Sequence, residues 1–306
     1  MLSYLAFASV GLMWGINFLF MKMTAPVLSP IQVVWCRVIF GTFPILLIAL
    51  ARRSLRWIDL KQSHHFLVLA LLSNVLPFYF LTKGTQFLKS GIAGVLAGSV
   101  PLMTAILAFF FLPSDKIGFR KCLGLGIGFA GIALVAEFQK SLSGSLGGEL
   151  YGVGYMFLAV LSFALVVIYS KRVLAPLNLT AIQTACYPTL IASLIMTCIT
   201  PIEGLDALFS NPEVFFAAVV GLGFLGTGIA YILFYYIIDK LGAITASSVY
   251  YMPPVVALGA GAVFAHESIS TLQGIGTLFI FAGVYFARNA SSKGQDSVQA
   301  LSKSSS

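Results

Sequence analysis

Charge is scarce in this chain, and its placement excludes most soluble readings. Only 9% of the 306 residues are charged, ten of them acidic, and three more are histidine. Hydrophobic residues make up 59% and the mean hydropathy is +0.97, far outside the range of soluble domains. The four cysteines, Cys36, Cys122, Cys186 and Cys198, lie in apolar stretches without metal-ligand spacing. They read as small buried hydrophobes rather than as a disulfide framework or a metal site. There is no HExxH, no P-loop and no Cys/His cluster. No catalytic constellation, metal or cofactor is therefore implied. The alternation of polar and apolar residues that marks a membrane barrel is also missing, so apolar spans must be helices.

A carboxylate at membrane depth is missing too. All ten acidic residues, Asp115, Glu137, Asp239 and Glu267 among them, fall at span ends, in loops or in the tail. Proton-coupled carriers commonly hold such a group in mid-membrane. Its absence disfavours a pump of organic cations and fits a facilitator or exchanger of neutral, zwitterionic or anionic solutes.

What remains is a series of apolar stretches, each about 20 residues long, enough to cross a bilayer as a helix. They run over roughly 2–21, 31–50, 66–82, 91–112, 119–138, 150–170, 179–199, 214–237, 243–264 and 270–287. The connections are too short for a soluble domain. The first stretch has no basic n-region and holds Trp14 and Asn17, so it is expected to be a retained helix rather than a cleaved signal. The polar tail 289–306 is expected to be disordered and cytoplasmic.

The ten spans form two sets of five. At a constant offset of 152, Pro101 meets Pro253, Asp115 meets Glu267, Gly124 meets Gly276, and Phe129-Ala130-Gly131 meets Phe281-Ala282-Gly283. Small shifts bring Ile31-Gln32 onto Ile182-Gln183 and Lys22 onto Lys171. The expected fold is an all-α integral membrane protein of ten transmembrane helices, built as two inverted five-helix repeats over 3–138 and 150–288. An odd number of spans per repeat inverts the second relative to the first, which is the architecture of an alternately accessible site.

The net charge of +8 follows topology rather than a nucleic-acid partner. With the N-terminus inside, thirteen basic residues, from Arg52 through Lys303, face the cytoplasm. Lys22, Lys83, Lys89 and Lys140 face out. That bias places both termini in the cytoplasm. It silences the sequon at Asn178, and it makes His64 and His65 part of a solvated cytoplasmic helix start. Two GxGxxG matches, at Gly221–Gly226 and Gly126–Gly131, lie inside spans. There, small residues serve close helix packing rather than nucleotide binding.

Mid-span polar and aromatic residues outline a cavity. Trp14, Asn17 and Phe18 come from the first span, Asn74, Phe78 and Tyr79 from the third, and Ser99, Pro101 and Met103 from the fourth. The second repeat adds Phe163, Tyr169, Thr227, Tyr231, Tyr235, Ser247, Ser248, Tyr250 and Tyr251. Tyr231 and Tyr235 share a helix face. Amides and hydroxyls lack partners in lipid and should point inward. Pro101 and the Pro253-Pro254 pair are expected to kink the fourth and ninth spans. Arg37 sits about 10 Å into the second span at 1.5 Å per residue. It is either a structural cation on helix-end carbonyls or a loop carboxylate, or a gate or contact for a solute carboxylate. Its counterpart in the second half lies near Pro188.

Trp14-Gly15 with Asn17-Phe18, Ser29-Pro30, Arg37, Pro101, Asp115 and Ala130-Gly131 resemble the first repeat of EamA-type proteins. Over about 3–288 the chain is similar to ten-helix members of the drug/metabolite transporter superfamily. At the end of the fourth span it shows Pro113-Ser114-Asp115 where that family has Gly-Glu. The resemblance implies a basket of helices around a substrate cavity in the cytoplasmic (inner) membrane. It also implies a secondary carrier, not an enzyme, that exports or exchanges amino acids or related metabolites. The expected partners are a small-molecule solute and membrane lipids, and a monomer suffices. A larger solute, such as a nucleotide-linked or S-adenosyl compound, and a non-catalytic membrane scaffold are the alternatives.

Overall fold

Serine, threonine and glutamine set where three of the helices begin. Ser29 and Gln32 form a reciprocal capping box at the start of the second span, and Thr180 and Gln183 form one at the start of the seventh. Ser270 and Gln273 exchange the same pair of bonds at the start of the tenth. Each box satisfies donors that an apolar medium leaves without water.

In the computed structural model, residues 2–55, 61–111, 123–124, 126–132, 134, 148–177, 179–283 and 285–286 are described. Seven long apolar helices occur among them: α1 (Leu2–Thr24), α2 (Pro30–Ala51), α3 (Ser63–Phe87), α4 (Ser90–Phe111), α6 (Leu150–Leu174), α7 (Ala181–Ile199) and α8 (Pro212–Ile237). Residues 126–132 contribute the helical stretch α5. Two shorter apolar helices follow, α9 (Met252–Phe264) and α10 (Thr271–Gly283). The protein is an all-α membrane protein. Its exterior is itself apolar, with Phe110, Leu194, Phe264 and Leu278 largely exposed, as lipid contact requires. The expectations for Asp115, Glu137, Asn178 and the tail fall outside the described residues.

Two departures from the expected spans have physical causes. Helix α8 does not stop near residue 237 but runs on to Ser247, followed by a 3₁₀ turn over Ser248–Tyr251 and then α9. The charged pair Asp239-Lys240, read as a loop, is thus carried on a helix. The prolines, in turn, do not kink continuous helices. Helix α4 breaks at Gly98-Ser99 and resumes at Val100. Pro101, Pro253 and Pro254 therefore all lie in the first turn of a new helical segment, where a missing N–H costs nothing. The offset of 152 pairs these two breaks.

The same offset pairs two π-helical stretches, Ala70–Val75 in α3 and the longer Phe216–Ile229 in α8. Such bulges widen the helix and re-aim side chains, often at functional sites. Glycines carry the crossings. A Cβ on Gly221, Gly223 or Gly226 would strike Phe20, Phe40 or Asn17, and one on Gly131 would meet the Gly276 carbonyl of α10. Both GxGxxG matches are thus close helix crossings. A polar cross-link adds to them: the Thr42 and Ser193 hydroxyls bond at 2.9 Å between α2 and α7.

Candidate functional site

Between α1, α2, α7 and α8 a cavity of about 820 Å³ opens on the face that carries the N-terminus. Its mouth is formed by Leu2, Arg52, Thr180 and Lys240, and its inner end by Ser9, Ile45, Tyr231 and Tyr235. Among the described residues no carboxylate lines it. The opposite face is cross-linked. Lys22 Nζ donates to the Leu88 carbonyl at 2.8 Å, and Gln32 Nε2 donates to the Glu203 carbonyl at 2.8 Å. Glu267 accepts from the Ser90 and Gly91 backbone N–H groups. Among the described residues, the cavity lining reaches the N-terminal face and the cross-links lie on the other.

Beside the cavity's inner end stands an aromatic cluster. The Trp14 ring lies 5.2 Å from Phe234, 5.0 Å from Tyr250 and 6.5 Å from Tyr231, the last edge-on. Three helical segments supply it: α1 gives Trp14, α8 gives Tyr231 and Phe234, and the turn before α9 gives Tyr250. Such ring pairs contribute about 0.5–1.5 kcal/mol beyond burial.

One turn further along α8 lies Thr227, and with it Arg37. The guanidinium is 5% exposed. Its Nε donates to Thr227 Oγ1 at 3.0 Å, and its face covers the Phe78 ring at 3.7 Å. The Asn17 amide orients so that its oxygen accepts from Nη2 at 3.2 Å while its nitrogen donates to the Met13 carbonyl at 3.0 Å. Nη1 is buried without a partner. The partners are therefore side chains, not the helix-end carbonyls or loop carboxylate that a structural arginine was expected to find. A Cβ on Gly226 would collide with the Asn17 amide, so the glycine makes room for this network.

The sequence-derived site residues divide among several places. Tyr231 and Tyr235 line the cavity; Trp14 packs on Tyr231 and Tyr250 behind that wall, and Asn17 and Phe78 contact Arg37. Phe163 stacks edge-on behind Phe78 at 6.4 Å. Phe18 is buried instead at a helix crossing beside Gly94, and Tyr79 packs on Phe80 at 5.8 Å. Ser99 and Met103 line a separate apolar void of about 60 Å³ with Phe157 and Val160. Tyr169 is drawn to the N-terminal face, where its hydroxyl meets His65 Nδ1 at 2.6 Å. His65 is thus tied across helices rather than simply solvated. The side chains of Ser247, Ser248 and Tyr251 fall outside the described residues. Sequence reasoning passed over Phe234, although it stands three residues from Tyr231 and so on a neighbouring face. It also passed over Ser9 and Ile45, which carry no sequence signal.

Residues 1–136 and again 150–288 match the model of the EamA-like transporter family. The chain belongs to the EamA-like transporter family. Among its relatives is an uncharacterized transporter of Bacillus subtilis, YoaV, 25% identical with 92% of this chain and 94% of that protein covered. An uncharacterized transporter of Archaeoglobus fulgidus is 24% identical, covering 89% and 93%. The uncharacterized inner membrane transporter YedA of Escherichia coli is 29% identical over 61% of this chain and 58% of its own. One solved crystal structure superposes with a TM-score of 0.60 at 16% identity, covering 95% of this chain and 98% of the other. That likeness concerns the fold alone. In this EamA-family chain, aromatic rings and a buried cation stand beside a cavity of small-molecule size.

Proposed function

We propose that this EamA-family chain is a secondary carrier of small metabolites, amino acids foremost, working by alternating access in the inner membrane. The observation that carries the reading is the cavity of about 820 Å³ that opens on the N-terminal face, with cross-links between helices on the other. Pocket volumes of roughly 300–1,000 Å³ are typical of small-molecule sites. The basic excess on the cavity side orients that mouth to the cytoplasm, which suits export or exchange. The paired helix breaks before Pro101 and Pro253 supply hinges on both repeats, and inversion of the repeats would exchange the open and closed faces.

A broken helix pair and a tied outer face support rocking around a fixed site rather than a channel. No carboxylate is buried among the described residues, so transport is read as independent of a proton gradient. The volume also favours a second reading, a larger organic solute such as a nucleotide-linked or S-adenosyl compound. Uptake of radiolabelled solutes into proteoliposomes, amino acids against nucleosides and nucleotide conjugates, separates the two. Saturable amino-acid uptake supports the first reading, and uptake confined to the larger compounds supports the second. A vesicle as tight as a protein-free one to every compound contradicts both.

A further inference from the structure

The buried Arg37 has everything a structural cation needs except a counter-charge. Its three partners, Thr227, Asn17 and Phe78, are neutral. The buried polar residues among those described are hydroxyls and amides, with no carboxylate. Burying an uncompensated charge is costly, and a purely structural arginine in a bundle is normally paired. Here the partners fix the fork without neutralising it. Nε and Nη2 are held, one face is stacked, and the Nη1 edge is left with unused N–H donors. Planar donors of that kind match a carboxylate.

The nearest described cavity wall is Tyr231. Thr227 is one helical turn from Tyr231, and Tyr231 forms the inner end of the cavity. Arg37 is bonded to Thr227 at 3.0 Å, so the guanidinium lies about one turn of α8 from Tyr231. The charged side chains along the cavity wall are Arg52 and Lys240, both basic. Among the described lining residues, an anion entering from the mouth passes basic side chains and no acidic one. A cation meets the same charge as a barrier.

We propose that Arg37 is the solute's carboxylate anchor: the carboxylate docks on Nη1 with the Tyr231 hydroxyl as second donor, while the Trp14, Phe234 and Tyr250 rings take the apolar body. This assignment rests on the reading of the chain as a carrier and narrows its solutes to those bearing a carboxylate. Asn17 and Thr227 act through Arg37, as positioning residues that aim the fork.

The test measures thermal stabilisation and direct binding on the purified full chain in nanodiscs. The probes are L-phenylalanine, 3-phenylpropionate, L-phenylalaninamide and 2-phenylethylamine, with the matching four compounds on the leucine skeleton. Carboxylates are expected to bind roughly tenfold or more tightly than the amide and amine, as suits a charge-assisted pair. Arg37→Gln is expected to erase that preference. Asn17→Asp guards against misfolding, because it is nearly isosteric and gives Arg37 an internal counter-ion. It too is expected to erase the carboxylate preference while raising thermal stability. Equal binding of amide and carboxylate, or a preference that survives in both variants, overturns the assignment. Failure of every carboxylate while another solute is transported overturns it as well and leaves the carrier reading standing. Carboxylate binding that depends on Arg37 without transport of any solute upholds the subsite and removes the carrier reading.

Discussion

Glu267 and Ser90 lie 177 residues apart and meet on the face opposite the cavity, where Glu267 Oε1 accepts from the Ser90 backbone N–H at 2.8 Å. Oε2 takes the next N–H, that of Gly91, at 3.1 Å. The carboxylate thus caps the start of α4 from outside that helix, where orphan donors and the helix dipole both favour an anion. Lys89 returns the contact by donating to the Ser268 carbonyl at 2.9 Å. The segment before α10 is thereby latched to the start of α4.

The latch is expected to be measurable by hydrogen exchange. A hydrogen bond to a charged acceptor contributes about 1.5–3 kcal/mol. With Glu267→Gln, exchange of the Ser90 and Gly91 amides should rise roughly tenfold or more, while peptides of α7 stay unchanged. An unchanged rate at Ser90 means that the latch does not hold that face shut.

Glycine packing yields a paired test. Gly226→Ala pushes a methyl into the Asn17 amide, whereas a Cβ on Gly259 meets nothing within 4 Å. Overpacking costs about 1–3 kcal/mol. A lowered melting temperature is therefore expected for Gly226→Ala and none of note for Gly259→Ala. Equal melting of the two contradicts the close approach of α1 and α8.

Removing the Thr227 hydroxyl tests the Arg37 network from its other side. Thr227 Oγ1 accepts from Arg37 Nε and donates to the Leu222 carbonyl at 3.0 Å inside the π segment. Thr227→Val leaves a buried donor unpaired, at a cost of about 1–3 kcal/mol. Thr227→Ser, which keeps the oxygen, should restore most of it. If the valine variant unfolds at the same denaturant concentration as the parent, the bond carries no weight.

The aromatic cluster is tested by transport rather than stability. Losing a ring wall forfeits about 0.5–1.5 kcal/mol of stacking beyond burial, which is several-fold in affinity. Half-saturation is expected to rise several-fold for Trp14→Ala and to stay put for Tyr285→Ala, whose ring is 62% exposed. Equal kinetics of the two place solute binding away from Trp14.

Much of this was legible in the sequence. Apolar length gave the long spans, because a bilayer selects on length and hydropathy alone. Trp14, Asn17, Arg37 and Tyr231 stood out because amides, cations and hydroxyls are conspicuous in an apolar run. Other features were hidden. The π stretches in α3 and α8 depend on a local change of hydrogen-bond register that hydropathy does not encode. The continuation of α8 through Asp239-Lys240 was missed because charges read as loop, although a helix can carry them beyond the membrane. The void at Ser99 and Met103 and the burial of Phe18 are products of helix rotation, which no single span fixes. The Phe78 ring under Arg37 joins residues 41 positions apart, a contact only tertiary packing can make.

Alternating access requires one cavity that is exposed to one side at a time. The direct measurement is counterflow in proteoliposomes, with internal and external pH clamped equal and the membrane potential collapsed. Vesicles preloaded with unlabelled L-phenylalanine or L-leucine are expected to accumulate the labelled compound transiently, several-fold over unloaded vesicles. Arg37→Gln should abolish the overshoot. An overshoot that appears only with an imposed proton gradient contradicts proton-independent exchange. Flux that preloading does not accelerate, while solute still crosses, contradicts the alternating site itself.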